Sequence, residues 1–310
     1  MKKRKDYTVS VLMSVYNGEK YILEQLSSIK TQSNQPNEVI IIDDCSTDGT
    51  VRLIEDYINV NGLSETWRLI KNKRNHGWKC NFISGLKYIS GDIIFFSDQD
   101  DIWFKNKIEI YKSIFKQNQQ TNVIASQETK WDGLKSVTDL IIESKKYNIV
   151  PFNKENFFIQ SSGCTMAVRM NYVNSVIQFY KNDWAHDDFF WKMSLLDESL
   201  ALINSSSILH RIHGSNESLK KRNRETTLQT IHLDEEIVSS MIQRLKSDES
   251  ISNKNFKLQI LLHKKRGNLK RKKLFESKNI VYIFPIFINY RDLYRKIKQI
   301  FGDLVYALWG

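Results

Sequence analysis

Residues 91–103 read GDIIFFSDQDDIW, an apolar run of strand composition followed at once by three carboxylates, Asp98, Asp100 and Asp101. The DIIFF portion is short, β-branched and aromatic, as strands covered on both faces are. Like charges this close repel and are costly unless a cation or strong donors accompany them. Hard oxygen ligands of this kind suit Mg²⁺ or Mn²⁺, which keep several waters and bridge to phosphates. Asp98-Gln99-Asp100 is thus a D-x-D arrangement on a loop. Its weight depends on what kind of sheet that strand belongs to.

Working outward, the chain alternates. Residues 8–15 (TVSVLMSV) predict a strand and 19–31 a helix with Tyr21, Ile22, Leu26 and Ile29 on one face. Residues 38–42 (EVIII) predict a second strand and 50–60 a second helix; 67–70 and 81–89 repeat the pair. The DIIFF strand is fourth, with a helix expected over 105–116. This order predicts an α/β fold with a doubly wound, mainly parallel sheet, in which ligands lie beyond the carboxyl ends of the strands. Beyond residue 121 the pattern predicts an α+β half: strands near 122–126, 163–169 and 207–213, helices over 170–180 and 188–196. From about residue 225 it is purely helical, over 227–245 and 255–275. The expected division is 1–222, comprising 1–120 and 121–222, followed by a helical region over 223–310.

Each of the first four strands is followed by a polar cluster: Tyr16-Asn17-Gly18, residues 43–50 (DDCSTDGT), residues 73–77 (KRNHG), and the D-x-D loop. Helix capping would account for Ser46, Thr47 and Asp48 equally well. It would not account for three adjacent carboxylates.

Composition excludes several classes. Hydrophobic residues at 41% and charged residues at 26% exclude a disordered chain, and 12 glycines with 3 prolines exclude a collagen-like one. The three cysteines show no C-x-x-C pair, so neither a disulfide framework nor a cysteine-rich zinc site is expected. The basic start has no apolar stretch of signal length behind it, and residues 280–290 (IVYIFPIFINY) are too short to span a bilayer. A cytoplasmic location is expected. The net charge of +11 falls entirely within residues 254–310, and the preceding chain nets zero. Basic residues interleaved with leucines there predict association with an anionic membrane surface, at its inner face, rather than with nucleic acid.

Together, SVYNGEKYILEQLSSI, IIIDDCSTDGT, NHGWKCNFISGL and GDIIFFSDQDDIW resemble family 2 of the inverting, nucleotide-sugar-dependent glycosyltransferases, which have the GT-A fold. SSGCTMAV, WAHDDFFWKMSLL and LHRIHGSNES are most similar to the bacterial rhamnosyltransferase branch that builds surface polysaccharides. The resemblance implies that Asp43 and Asp44 contact the base and ribose of a dTDP- or UDP-sugar, with Tyr16, Asn17 and Gln99 in the same pocket and Arg74 and Asn75 near the diphosphate. It implies Asp98 at the ribose or metal, Asp100 on the Mn²⁺ or Mg²⁺, and His213 as a further metal or diphosphate contact. The general base would be Asp187 of the His186-Asp187 pair, with Asp188 as its alternative. The absence of Q-x-x-R-W implies transfer of one sugar per encounter to a glycan or lipid-linked glycan. Two alternatives remain open here: a nucleotidyltransferase acting on a sugar phosphate, and a protein that binds anionic membrane or nucleic acid through its basic tail.

Overall fold

A computed structural model describes residues 6–133, 140–214 and 223–309. The first part runs β1 (Val9–Val15), α1 (Ile22–Lys30), β2 (Glu38–Asp43), α2 (Thr50–Val60), β3 (Trp67–Lys71), α3 (Trp78–Gly85), β4 (Ile93–Ser97), β5 (Ile102–Trp103) and α4 (Lys107–Gln117). Next come β6 (Val123–Trp131), β7 (Tyr147–Ile149), β8 (Ala167–Arg169), α5 (Met170–Val176), α6 (His186–Leu196) and β9 (Leu200–Arg211). Four helices close the chain: α7 (Arg224–Ser247), α8 (Lys254–Ser277), α9 (Ile283–Asn289) and α10 (Lys298–Trp309).

One mixed sheet holds the first two parts together, in the order β3-β2-β1-β4-β8-β6-β9-β5, with β7 on β9. Strands β3, β2, β1 and β4 are mutually parallel, whereas β8 lies antiparallel to both β4 and β6. The strand period of two divides the apolar runs between two cores. Leu12, Ile40, Ile42, Ile94 and Phe96 face one side, with Phe82 of α3 and Phe189 and Phe190 of α6. Val11, Met13, Val39, Ile41 and Phe95 face the other, under Leu26 of α1, Ile54 of α2 and Ile108 of α4. Both faces are covered, so the strands read apolar throughout.

The helical region joins the first of these cores through Ile237, Val238, Met241 and Leu245 of α7 and Ile260 and Leu261 of α8. A third core, built on Ile231, Leu274, Phe275, Ile286, Ile300 and Ala307, binds α7, α8, α9 and α10 together. The basic stretch in α8 does not form a single solvated stripe. Lys257 is buried against Glu198 (3.1 Å), Arg271 against Asp303 (2.9 Å), and Lys264 lies over the Phe157 ring at 4.2 Å. No helix among the described residues is long and apolar enough to cross a membrane. The apolar window at 280–290 folds into a short turn and α9 instead.

Candidate active site

Parallel pairing of β1, β2, β3 and β4 brings their carboxyl ends to one edge, where the four polar clusters meet. Asn17 takes a left-handed backbone (φ 49°), which asparagine tolerates better than most side chains. Its N–H donates to Ser46 Oγ (2.9 Å) and its Oδ1 accepts from the Thr47 N–H (2.8 Å), joining the loops after β1 and β2. Gln99 clamps Tyr16 from the other side: its Oε1 accepts the Tyr16 N–H (2.7 Å), and its Nε2 donates to the Tyr16 carbonyl (3.0 Å). A Cβ at Gly18 would lie 2.6 Å from Gln99 Oε1, so only glycine admits this clamp. The Tyr16 ring stays exposed.

The two aspartates after β2 differ. Asp44 is filled by its own chain, accepting from Asn72 Nδ2 (2.9 Å) and from the His76 (2.9 Å) and Gly77 (2.7 Å) N–H groups. It therefore fixes the loop that carries Arg74 and Asn75, which remain exposed. Asp43 accepts the Ser46 N–H at 3.1 Å through Oδ2, while its buried Oδ1 has no partner. A buried acceptor without a donor is costly and marks a place for a ligand N–H or O–H.

In the D-x-D loop, burial pushes Asp98 up to about 8, with Asp101 and Asp100 adding to the push and Asp187 contributing to it. Asp100 is also raised, by burial and by Asp101, although His213 Nε2 lies 2.8 Å from its Oδ2 and opposes the rise. His213 stacks on Tyr21 at 4.9 Å between ring centroids. Behind the loop sits a layer that sequence reasoning missed. Asp101 accepts the Arg211 N–H (3.2 Å) and pairs with His210 (3.2 Å), which its carboxylate raises to about 9. Arg211 Nε donates to the Asp100 carbonyl (2.9 Å), and Lys107, fully buried beneath Trp103, donates to the Cys164 carbonyl (2.6 Å). The available signal was the third aspartate of DQDD and the first histidine and arginine of HRIH. Trp103 is buried and packs beside Phe95 at 5.8 Å between ring centroids.

Near enough to Asp98 for Asp187 to raise it, α6 starts at His186, so both members of the H-D pair lie in its first turn. His186 is buried among Phe82 (4.0 Å) and Phe96 (4.6 Å), and burial lowers it to about 3, leaving it neutral. Asp188 Oδ2 is engaged by Trp184 Nε1 (2.7 Å) and Lys192 Nζ (2.5 Å). Asp187 accepts backbone N–H donors alone among the described residues, that of Asp188 at 2.8 Å; burial and Asp188 raise it to about 6. A Cβ at Gly163 would come within 2.6 Å of His186 Nε2 and 3.1 Å of Asp187 Cβ, so the GCTMA turn packs directly on this pair.

The donor set fits a hard divalent cation. Asp100 raises Asp98 although His210, and His213 at Asp100, offset part of the repulsion, and no donor among the described residues reaches the Asp98 carboxylate.

Residues 10–174 match the family model described as glycosyl transferase family 2. WfgD of Escherichia coli, named as a UDP-Glc:alpha-D-GlcNAc-diphosphoundecaprenol beta-1,3-glucosyltransferase, is 27% identical over 219 residues, covering 69% of this chain and 80% of that one. EpsE of Bacillus subtilis (strain 168) is 33% identical over 118 residues, and the match spans 38% of this chain but only 42% of EpsE. Among solved structures, Staphylococcus aureus TarS residues 1–349 with UDP-GlcNAc superposes with a TM-score of 0.62 at 19% identity, over 97% of this chain and 79% of that one. The mixed sheet with its helical C-terminal region is the same GT-A arrangement.

Proposed function

Because the chain belongs to glycosyl transferase family 2, we propose that it moves one sugar from a nucleoside-diphosphate sugar to a glycan or lipid-linked glycan acceptor, inverting the anomeric centre. The observation that carries this reading is the contrast within the first turn of α6. Asp188 is held by Trp184 and Lys192, whereas Asp187 is raised to about 6 and has only backbone donors. A general base works best with a pKa near the operating pH, which suits Asp187, and it must be free to take a proton, which the two side-chain donors on Asp188 Oδ2 oppose.

Asp187 takes the proton of the acceptor hydroxyl while that oxygen bonds to the anomeric carbon. The bond from that carbon to the diphosphate oxygen breaks on the opposite side, and the nucleoside diphosphate leaves. Asp43 Oδ1, buried and unpartnered, would accept a donor from the nucleotide, and Tyr16 would cover it. Asp44, Asn17 and Gln99 act by holding loops. Asp98 and Asp100, with His213 beside Asp100, would hold Mn²⁺ or Mg²⁺, which when bound offsets the charge developing on the leaving diphosphate. A Pyrobaculum calidifontis mannosyltransferase of similar fold (TM-score 0.52, 14% identity) is described in complex with GDP-Man and Mn²⁺.

Rhamnose is supported by the short SSGCTMAV, WAHDDFFWKMSLL and LHRIHGSNES motifs, whereas the relatives named above are named with UDP-Glc or UDP-GlcNAc. A panel of UDP- and dTDP-sugars, with Mn²⁺ and an acceptor glycan, decides the donor. Release of nucleoside diphosphate with an inverted product linkage is expected. Release of pyrophosphate would instead indicate nucleotidyl transfer.

A further inference from the structure

The outer face of the last two helices is apolar to an unusual degree. On α10, Ile297 just before the helix, Phe301, Val305 and Trp309 recur every fourth residue and are at least half exposed. Beside them, Ile280, Val281, Phe284, Phe287 and Ile288 of α9 and its preceding turn are also exposed. The Phe287 and Phe301 rings lie 6.4 Å apart, so the two stripes form one patch. This is not unfinished core, because Ile286, Ile300 and Ala307 already fill the inward faces of the same helices. Contiguous exposed apolar patches rimmed by polar residues mark interaction sites.

The rim of the patch selects the partner. Lys273, Lys278, Arg291, Arg295, Lys296 and Lys298, which flank these helices in the chain, are exposed, and among the described residues Glu276 is the one exposed carboxylate from residue 273 onward. A two-fold contact with a second copy would set this positive rim against itself. An anionic bilayer would complement it, take the apolar side chains into the acyl boundary, and place Trp309 at headgroup level.

We propose that the α9–α10 face docks on an anionic lipid surface. The contact is thereby placed on the two helices after α8, in which Lys257, Lys264 and Arg271 are buried. Its biological purpose rests on the lipid-linked acceptor proposed above, but its binding does not require that reading.

Vesicle flotation of the full chain tests it, with nucleotide-sugar hydrolysis read in the same samples. Wild type should float with phosphatidylglycerol-rich vesicles and be released by salt. Phe284→Ser/Ile288→Ser/Val305→Ser/Trp309→Ser should lower binding at least tenfold while keeping hydrolysis and melting temperature, since these side chains are exposed. Arg291→Gln/Lys296→Gln/Lys298→Gln should lose on the order of a hundredfold on anionic vesicles and little on neutral ones. Failure of wild type to float would overturn the proposal, as would a soluble dimer that the serine variant converts to monomer. Flotation without hydrolysis would leave the docking face standing and sink only the transfer reading.

Discussion

Asp187→Asn preserves the size of the side chain and its acceptance of the Asp188 N–H, but removes the basicity that proton transfer needs. Loss of a general base typically costs on the order of 10²–10⁴ in rate, so transfer should fall at least about a hundredfold with donor affinity unchanged. Asp188→Asn should behave in the opposite way. It leaves Lys192, which is nearly buried, without its counter-charge, so about 1–3 kcal/mol of stability should be lost. Thermal melts and transfer assays on the two variants check both halves; equal rate losses with equal melts would sink the distinction. Between them and the sheet lies His186, whose burial makes protonation unfavourable. As pH falls through the ordinary imidazole value of 6.5, the unfolded chain takes up a proton that the folded protein refuses, so stability falls. From pH 7.5 to 5.5 this amounts to about 1.4 kcal/mol, and His186→Leu should remove it. Asp187 and Asp98 titrate with the opposite sign, and comparison with the variant cancels them. Denaturant midpoints at the two pH values give the measurement, and an unchanged pH slope in His186→Leu would refute the assignment.

At the scale of elements, the turn at Gly163 packs on the first turn of α6, where His186 and Asp187 lie. Gly163→Ala would push a methyl group against His186 and Asp187, and overpacking of this kind typically costs about 1–3 kcal/mol. Because the clash falls on the first turn of α6, the turnover rate should fall further than the stability loss accounts for, with donor binding intact. Steady-state kinetics would show it, and a normal turnover number would mean the turn yields without moving Asp187. These elements were not equally legible beforehand. Strands β1, β2 and β4 were plain because apolar side chains on both faces leave an unbroken run. The strand expected at 207–213 proved to be the last part of β9, which starts at Leu200. Its middle reads Asn204-Ser205-Ser206, and the register with β6 shifts there, so the period of two was broken. The two-residue β5 and the three-residue β7 were missed because neither is long enough to show a period. The placement of Asp43 at the end of β2, of Asp98 and Asp100 just after β4 and of Asp187 near a helix start was readable from the sequence. The engagement of Asp44, Asn17 and Gln99 by backbone was not, because such bonds depend on loops brought together from distant parts of the chain.

For the molecule as a whole, the composition break near residue 223 suggests a separable helical region, yet the contacts across it are those of a core. Arg244 of α7 is buried, pairs with Asp197 (2.5 Å), and donates to the Met193 carbonyl (2.8 Å) and Tyr172 hydroxyl (3.1 Å). Ser240 Oγ donates to the Phe179 carbonyl close by. Asp197 is raised by burial and held down by Arg244 and by the Tyr172 hydroxyl (2.7 Å), so removing the guanidinium leaves a buried carboxylate without its counter-charge. Breaking a buried pair in this way typically costs about 3–5 kcal/mol. In Arg244→Ala the cost should not be confined to the helices. Leu245, Ile260 and Leu261 share one hydrophobic cluster with Phe189 and Phe190, which follow Asp187 and Asp188 in α6. The expected result is a single transition lowered by roughly 5 °C or more, followed identically by helical circular dichroism and by the melting shift that bound nucleoside diphosphate confers. Two transitions, with only the one insensitive to nucleotide displaced, would instead mean that residues 223–309 unfold as an independent unit and that the GT-A half keeps its site without them.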